Sequence, residues 1–212
     1  MRSRPEPSTR RALVLLVAAM TFSACGMLGS SGTSQTELRD DGSFTIRERV
    51  QVGADVQADF ESALRMLAQA QYADGIALLV KVTEAAPDLT AAHIDLAIAY
   101  GQVNDLERAE ASLKRALELS PRHPVAHNEL GIVYRKAGRF EDARKSYERA
   151  LKLHPEFHYA RRNLAILCDV YLADAACALS QYELYANAVP GDEAAAIWIA
   201  DLRNRIGKQE KP

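Results

Sequence analysis

Pro124-Val-Ala-His-Asn-Glu-Leu-Gly-Ile-Val-Tyr-Arg-Lys-Ala-Gly-Arg-Phe-Glu-Asp-Ala-Arg-Lys-Ser-Tyr-Glu-Arg-Ala-Leu-Lys-Leu-His-Pro155 is the stretch that decides the fold. It holds two runs of apolar residues at helical spacing, separated by Gly138-Arg139 and closed by a proline. Shifted by 34 residues the pattern recurs. Leu130, Gly131, Tyr134, Ala143, Tyr147, Ala150 and Pro155 answer to Leu96, Ala97, Tyr100, Ala109, Leu113, Ala116 and Pro121. Four such segments begin near Val56, Thr90, Pro124 and His158. Small residues at Gly131 and Ala143 let two antiparallel helices approach where they cross. Asn104-Asp105 and Gly138-Arg139 supply the turns, and each closing proline disfavours helix in the residue before it.

The outer segments are looser copies. The first keeps Ala63, Met66, Gly75, Val82 and Pro87. The fourth keeps Leu164, Ala165, Cys168 and Cys177, and its proline, Pro190, comes one residue late. The spacing predicts one extra residue in its second helix or in the turn after it. Asp192–Arg205 then reads as a final amphipathic helix, with Ala195, Ile199 and Leu202 turned inward and Trp198 sealing the end.

Leu-Gly and Tyr in the first helix, Ala and an aromatic in the second, and a closing Pro strongly resemble the tetratricopeptide repeat. The resemblance implies an all-α fold: about four helical hairpins stacked in a right-handed superhelix over residues 56–207, capped by the last helix, with a short tail at 208–212. One hairpin cannot bury its apolar face alone, so three or more must stack.

Ahead of the repeats the chain reads as an export signal. Four arginines (Arg2, Arg4, Arg10, Arg11) precede the apolar run Ala12–Phe22, which is short for a membrane span, and then Ser23-Ala24-Cys25. This resembles a bacterial lipobox, with Phe22 departing from the usual Leu. It implies a signal peptide over residues 1–24 and a lipidated Cys25 that holds the protein to a membrane. Absence of Asp at Gly26 points to the outer membrane, facing the periplasm. Thr9-Arg10-Arg11 leaves the general and twin-arginine export routes both open. Residues 25–43 are rich in Gly and Ser, a flexible tether. Residues 44–55 form a strand-like N-terminal segment, its Phe44–Val52 alternating polar and apolar, which must pack on the helices or pair with a partner.

Charge and chemistry narrow the function. The chain's formal net charge is −2, and without residues 1–24 it has 22 basic against 27 acidic residues, which is no nucleic-acid signature. No phosphate loop, nucleophile elbow or His-Glu-x-x-His is present, so neither an enzyme nor a small-molecule substrate is expected. His123/His127 and His154/His158 are each four apart, but Pro124 and Pro155 interrupt the helix between them. His93 and His127 recur 34 apart as packing and hydrogen-bonding groups. No metal or cofactor is expected. Cys168 and Cys177 fall near one helix end and the next helix start. An intramolecular disulfide is expected in an exported protein, with two buried free thiols as the alternative.

The resemblance places the first helix of each hairpin on a concave face. Helical spacing then assigns to the groove Phe60 and Leu64, Ile94 and Ile98, Asn128, Ile132 and Arg135, and Tyr159, Arg162, Ile166 and Asp169. Ile98, Ile132 and Ile166 form an apolar line flanked by the arginines, suited to an extended or helical peptide with one or two carboxylates. The expected function is a membrane-tethered adaptor or scaffold of the bacterial cell envelope that binds a protein or peptide partner. The alternative is a permanent structural subunit, or a pilotin-like assembly factor, of an envelope secretion or pilus complex.

Overall fold

The computed structural model describes residues 35–38, 44–47 and 50–209. The expected signal peptide, Cys25 and most of the expected tether lie outside the described residues. Two short strands, β1 (Gln35–Leu38) and β2 (Phe44–Arg47), pair antiparallel with Gln35 opposite Arg47. The strand-like segment therefore pairs with another piece of this chain, one that composition alone had assigned to the tether. Strand β2 ends at Arg47, and helix α1 starts at Ala54, within the segment expected to be strand-like.

Nine helices follow among the described residues: α1 (Ala54–Ala68), α2 (Tyr72–Ala85), α3 (Thr90–Gln102), α4 (Leu106–Leu119), α5 (Pro124–Lys136), α6 (Phe140–Leu153), α7 (His158–Ile166), α8 (Ala175–Ala188) and α9 (Glu193–Gln209). They pack as sequential antiparallel pairs, α1 on α2 through α7 on α8, with α9 on α8. Side-chain acceptors start several of them. Asp105 accepts from the Arg108 N–H (3.1 Å), His123 Nδ1 from the Ala126 N–H (3.2 Å) and Asp174 from the Cys177 N–H (3.0 Å). Pro124 occupies the first turn of α5, where its missing N–H costs nothing. Within each hairpin the link passes through one left-handed residue: Ala70, Asn104, Gly138 and Ala173, each with φ between 52° and 73°.

The core is a column of small and large residues in alternation. Ala126, Leu130, Val133 and Tyr134 are buried on α5 as the spacing predicts, and Ala143, Tyr147 and Ala150 on α6. Gly131 makes the tight crossing, but its close neighbour is the Tyr147 ring rather than Ala143. A Cβ at Gly131 would sit 2.5 Å from Tyr147 Cε1. His93 Nε2 and His127 Nε2 lie 2.9 and 3.1 Å from the carbonyl oxygens of Pro87 and Pro121, pinning each inner helix to the turn before it. Arg161 does the same to the Pro155 carbonyl.

The fourth hairpin corrects the expected position of the extra residue. Helices α4 and α6 begin 16 residues after α3 and α5, whereas α8 begins 17 after α7. The insertion is in the first helix, whose end widens into a π-helical turn over Leu167–Tyr171. From there the register runs one residue late. Ala178, not Cys177, takes the place of Ala143, and Tyr182 takes that of Tyr147. Cys168 lies in the π turn and Cys177 in the first turn of α8. A disulfide joins them, with Cα atoms 5.9 Å apart. Helix α9 closes the stack with Ala195 and Leu202 fully buried, Ile199 and Trp198 half-buried, and the Trp198 ring 5.2 Å from that of Tyr182.

Candidate binding groove

The odd-numbered helices form one layer. Besides its own partner, α1 touches α3, α3 touches α5 and α5 touches α7, while no even helix has a comparable contact with the next even one. Helices on the inside of a curved stack crowd together and those on the outside splay, so α1, α3, α5 and α7 line the concave side.

Along that side the expected groove residues divide into three groups. Leu64 is exposed (38%), and Ile98, Ile132 and Ile166 are half-buried with one edge against the core; together they make the apolar line, one residue per inner helix. Phe60 lies half-buried beside it. Tyr159 is the most open of the set, 60% exposed, with its ring against those of Phe157 and His158. Ile94 and Asn128, by contrast, are only 5% and 3% exposed. Neighbouring inner helices approach closely enough to cover this stripe, so Ile94 belongs to the core and Asn128 acts beneath the surface. Asp169 is also withdrawn from the groove, since Arg205 of α9 pairs with it at 2.6 Å.

The two arginines differ from the other charged groups around them. Among the described residues neither Arg135 nor Arg162 lies in an ion pair. Arg135 donates toward the hydroxyls of Tyr147 (3.5 Å) and Tyr171 (3.3 Å), and its guanidinium lies over the Tyr171 ring. Arg162 lies over Trp198 of the closing helix at 5.3 Å, and its Nε is buried with no hydrogen-bond partner. Tyrosine and indole faces hold each cation in place without neutralising it.

Sequence reasoning missed one residue of this surface. Glu129 sits between α3 and α5, half-buried, in a cleft of about 200 Å³ whose walls include Ile98 and Ile132. An amide chain leads to it: Asn163 Nδ2 donates to Asn128 Oδ1 (2.9 Å), and Asn128 Nδ2 to Glu129 Oε1 (2.9 Å). Burial pushes the Glu129 carboxyl above the usual carboxylate range, against the opposing pull of the Asn128 hydrogen bond and the Lys136 charge. The available signal was the 34-residue register, which sets Asp95, Glu129 and Asn163 in one column beside the isoleucines.

One group of three side chains among the described residues has metal-ligand chemistry: Cys168, Asp174 and Cys177. All three are already committed, the sulfurs to each other and Asp174 to the α8 N-terminus and to Arg144 at 2.9 Å.

Two tetratricopeptide-repeat family models match the chain, one over residues 66–128 and one over residues 124–157. No curated protein matches it significantly. Solved structures share the fold. pilF of Pseudomonas aeruginosa superposes with a TM-score of 0.66 at 21% identity, over 72% of this chain and 69% of that one. MamA gives 0.63 at 19% identity, over 74% and 87%. The first tetratricopeptide domain of Spaghetti (RPAP3), solved with the HSP90 peptide SRMEEVD, gives 0.54 at 24% identity, over 58% and 98%. Residues 66–157 carry the family's repeat in register and the helices on either side continue the same stack, so the chain is a tetratricopeptide-repeat protein, a scaffold for protein–protein interaction.

Proposed function

We propose that this protein is a non-catalytic adaptor of the bacterial cell envelope, held to the outer membrane through a lipid on Cys25, and that its concave face binds a peptide segment of a protein partner. The observation that carries the groove reading is the pairing of the Leu64, Ile98, Ile132 and Ile166 line with two arginines that lie in no ion pair among the described residues. Buried or stacked cations without an anion are costly to maintain, and an acidic side chain or chain end from a partner offsets that cost. The peptide bound to the RPAP3 domain is acidic near its end, and that complex offers a precedent for the binding mode on a similar fold. The envelope location draws its support from the order of basic, apolar and small residues before Cys25. Assembly of an envelope secretion or pilus complex is one role open to such an adaptor.

The test is the double substitution Arg135→Glu with Arg162→Glu, after circular dichroism shows unchanged helicity. Partner affinity is expected to fall by at least about 100-fold, since truncating one side of a desolvated charge pair costs on the order of 2–5 kcal/mol. Unchanged affinity moves the binding surface off the inner face.

A further inference from the structure

The cleft between α3 and α5 is smaller than a site for a drug-sized ligand, which occupies roughly 300 Å³ or more. It is large enough for one long side chain. Its walls are apolar: Ala97 and Ile98 on α3, Ile132 and Val133 on α5, with buried Leu113 of α4 behind them. Two charged groups reach it, and they are in different states. Lys136 is engaged, its Nζ donating to the Gly101 carbonyl oxygen at 2.8 Å where α3 ends. Glu129 has an amide neighbour but, among the described residues, no cation within ion-pair distance.

A half-buried carboxylate on apolar walls is expensive unless something charged comes to it. The structure nevertheless orients it, because Asn163 and Asn128 pass donors along the groove floor and the chain ends on Glu129 Oε1. Two amides fixing an acceptor that lies in no ion pair among the described residues, while its neighbour Lys136 is held on the Gly101 carbonyl, is the arrangement of a prepared receptor. Lysine and arginine carry a methylene stem that packs on apolar surface and a cationic head that pairs with a carboxylate.

We propose that this cleft is a subsite for a lysine or arginine side chain of the bound peptide, its stem between Ile98 and Ile132 and its head on Glu129. The inference rests on the groove reading and adds to it. The peptide carries a basic residue over α3 and α5 and its acidic group further along, over Arg135 and Arg162. Such a peptide enters the groove in one direction only, because reversal would set like charges together at both ends.

The experiment uses the full chain with isoleucine methyl groups labelled for NMR. The probes are n-butylguanidinium, which has a cation on a four-carbon stem, and n-butylurea, its neutral isostere. Saturable millimolar shifts are expected at Ile98 and Ile132, with Ile166 unaffected, from the cation alone. Glu129→Gln is expected to weaken that binding at least about tenfold. Should the variant fold poorly, the wild type serves: its affinity should fall as the pH is lowered, because protonation removes the carboxylate's charge. Equal binding of the urea, no saturable shift at Ile98 and Ile132, or indifference to both Glu129→Gln and pH overturns the subsite. These readouts need no partner. Loss of partner binding in the double arginine variant alongside a silent cleft would therefore sink the subsite and leave the groove standing.

Discussion

Replacing Tyr147 by alanine is expected to remove about 4 kcal/mol of folding stability, at the upper end for a single core truncation. The ring is fully buried on α6 and fills the space that Gly131 leaves on α5. The two residues form one contact made of a missing side chain and a large one. Gly131→Ala alone forces a Cβ to 2.5 Å from the ring and is expected to cost about 1–3 kcal/mol. With Tyr147→Ala already present the added methyl enters a cavity, so the two substitutions together should cost clearly less than their sum. Urea unfolding of the wild type, both single variants and the double variant measures the coupling. Strict additivity would mean that the crossing is not held by this pair.

The second large effect is on pH. His123 caps α5 from a buried position: its Nδ1 accepts the Ala126 N–H, which requires a ring nitrogen without a proton. Burial, reinforced by the nearby His127, holds its pKa down to about 4, against an ordinary value of 6.5. The unfolded chain therefore binds more protons than the folded one between those values. Stability is fully present above pH 6.5 and falls as pH drops toward 4, by about 3 kcal/mol over the window. Burial lowers His127 and His154 as well, and both push in the same direction. His123→Asn keeps an acceptor at the cap and removes the titration. Its unfolding free energy should decline much less steeply than that of the wild type from pH 7 to pH 4. Parallel curves would mean that His123 does not control the acid limb.

The repeat was legible because its signal is repeated packing. Leu130, Gly131, Tyr134, Ala143, Tyr147 and Ala150 each occupy a site whose size the helix crossing dictates, and a 34-residue shift exposes the constraint. The π turn was not, because one residue inserted in α7 and one inserted after it give the same late Pro190. The matches that separate them, Gly138 with Ala173, Ala143 with Ala178 and Tyr147 with Tyr182, become visible only at a shift of 35. In the groove, helical spacing found the inner stripe but could not say how closely neighbouring helices approach. Spacing alone therefore puts Ile94 and Asn128 on the open face, whereas the packing of neighbouring inner helices buries both. The pull of Arg205 on Asp169 depends on how α9 docks, which no local pattern encodes. Beyond its place in the 34-residue register, nothing in the sequence sets Glu129 apart from the other acids of the chain, because its cleft is made by the packing of α3 against α5. Strand β1 was hidden for a different reason: Gln-Thr-Glu-Leu pairs through its backbone, which composition does not report.

The central claim is that the inner face holds the partner, and site-specific photo-crosslinking in living cells that make the full chain tests it most directly. A photoreactive phenylalanine analogue replaces Tyr159, exposed on inner helix α7, and in a second strain Lys145, exposed on outer helix α6. The account predicts one discrete adduct from position 159, absent once Arg135→Glu and Arg162→Glu are introduced, and none from position 145. An adduct from position 145 alone, or one from position 159 that survives both charge reversals, would contradict it.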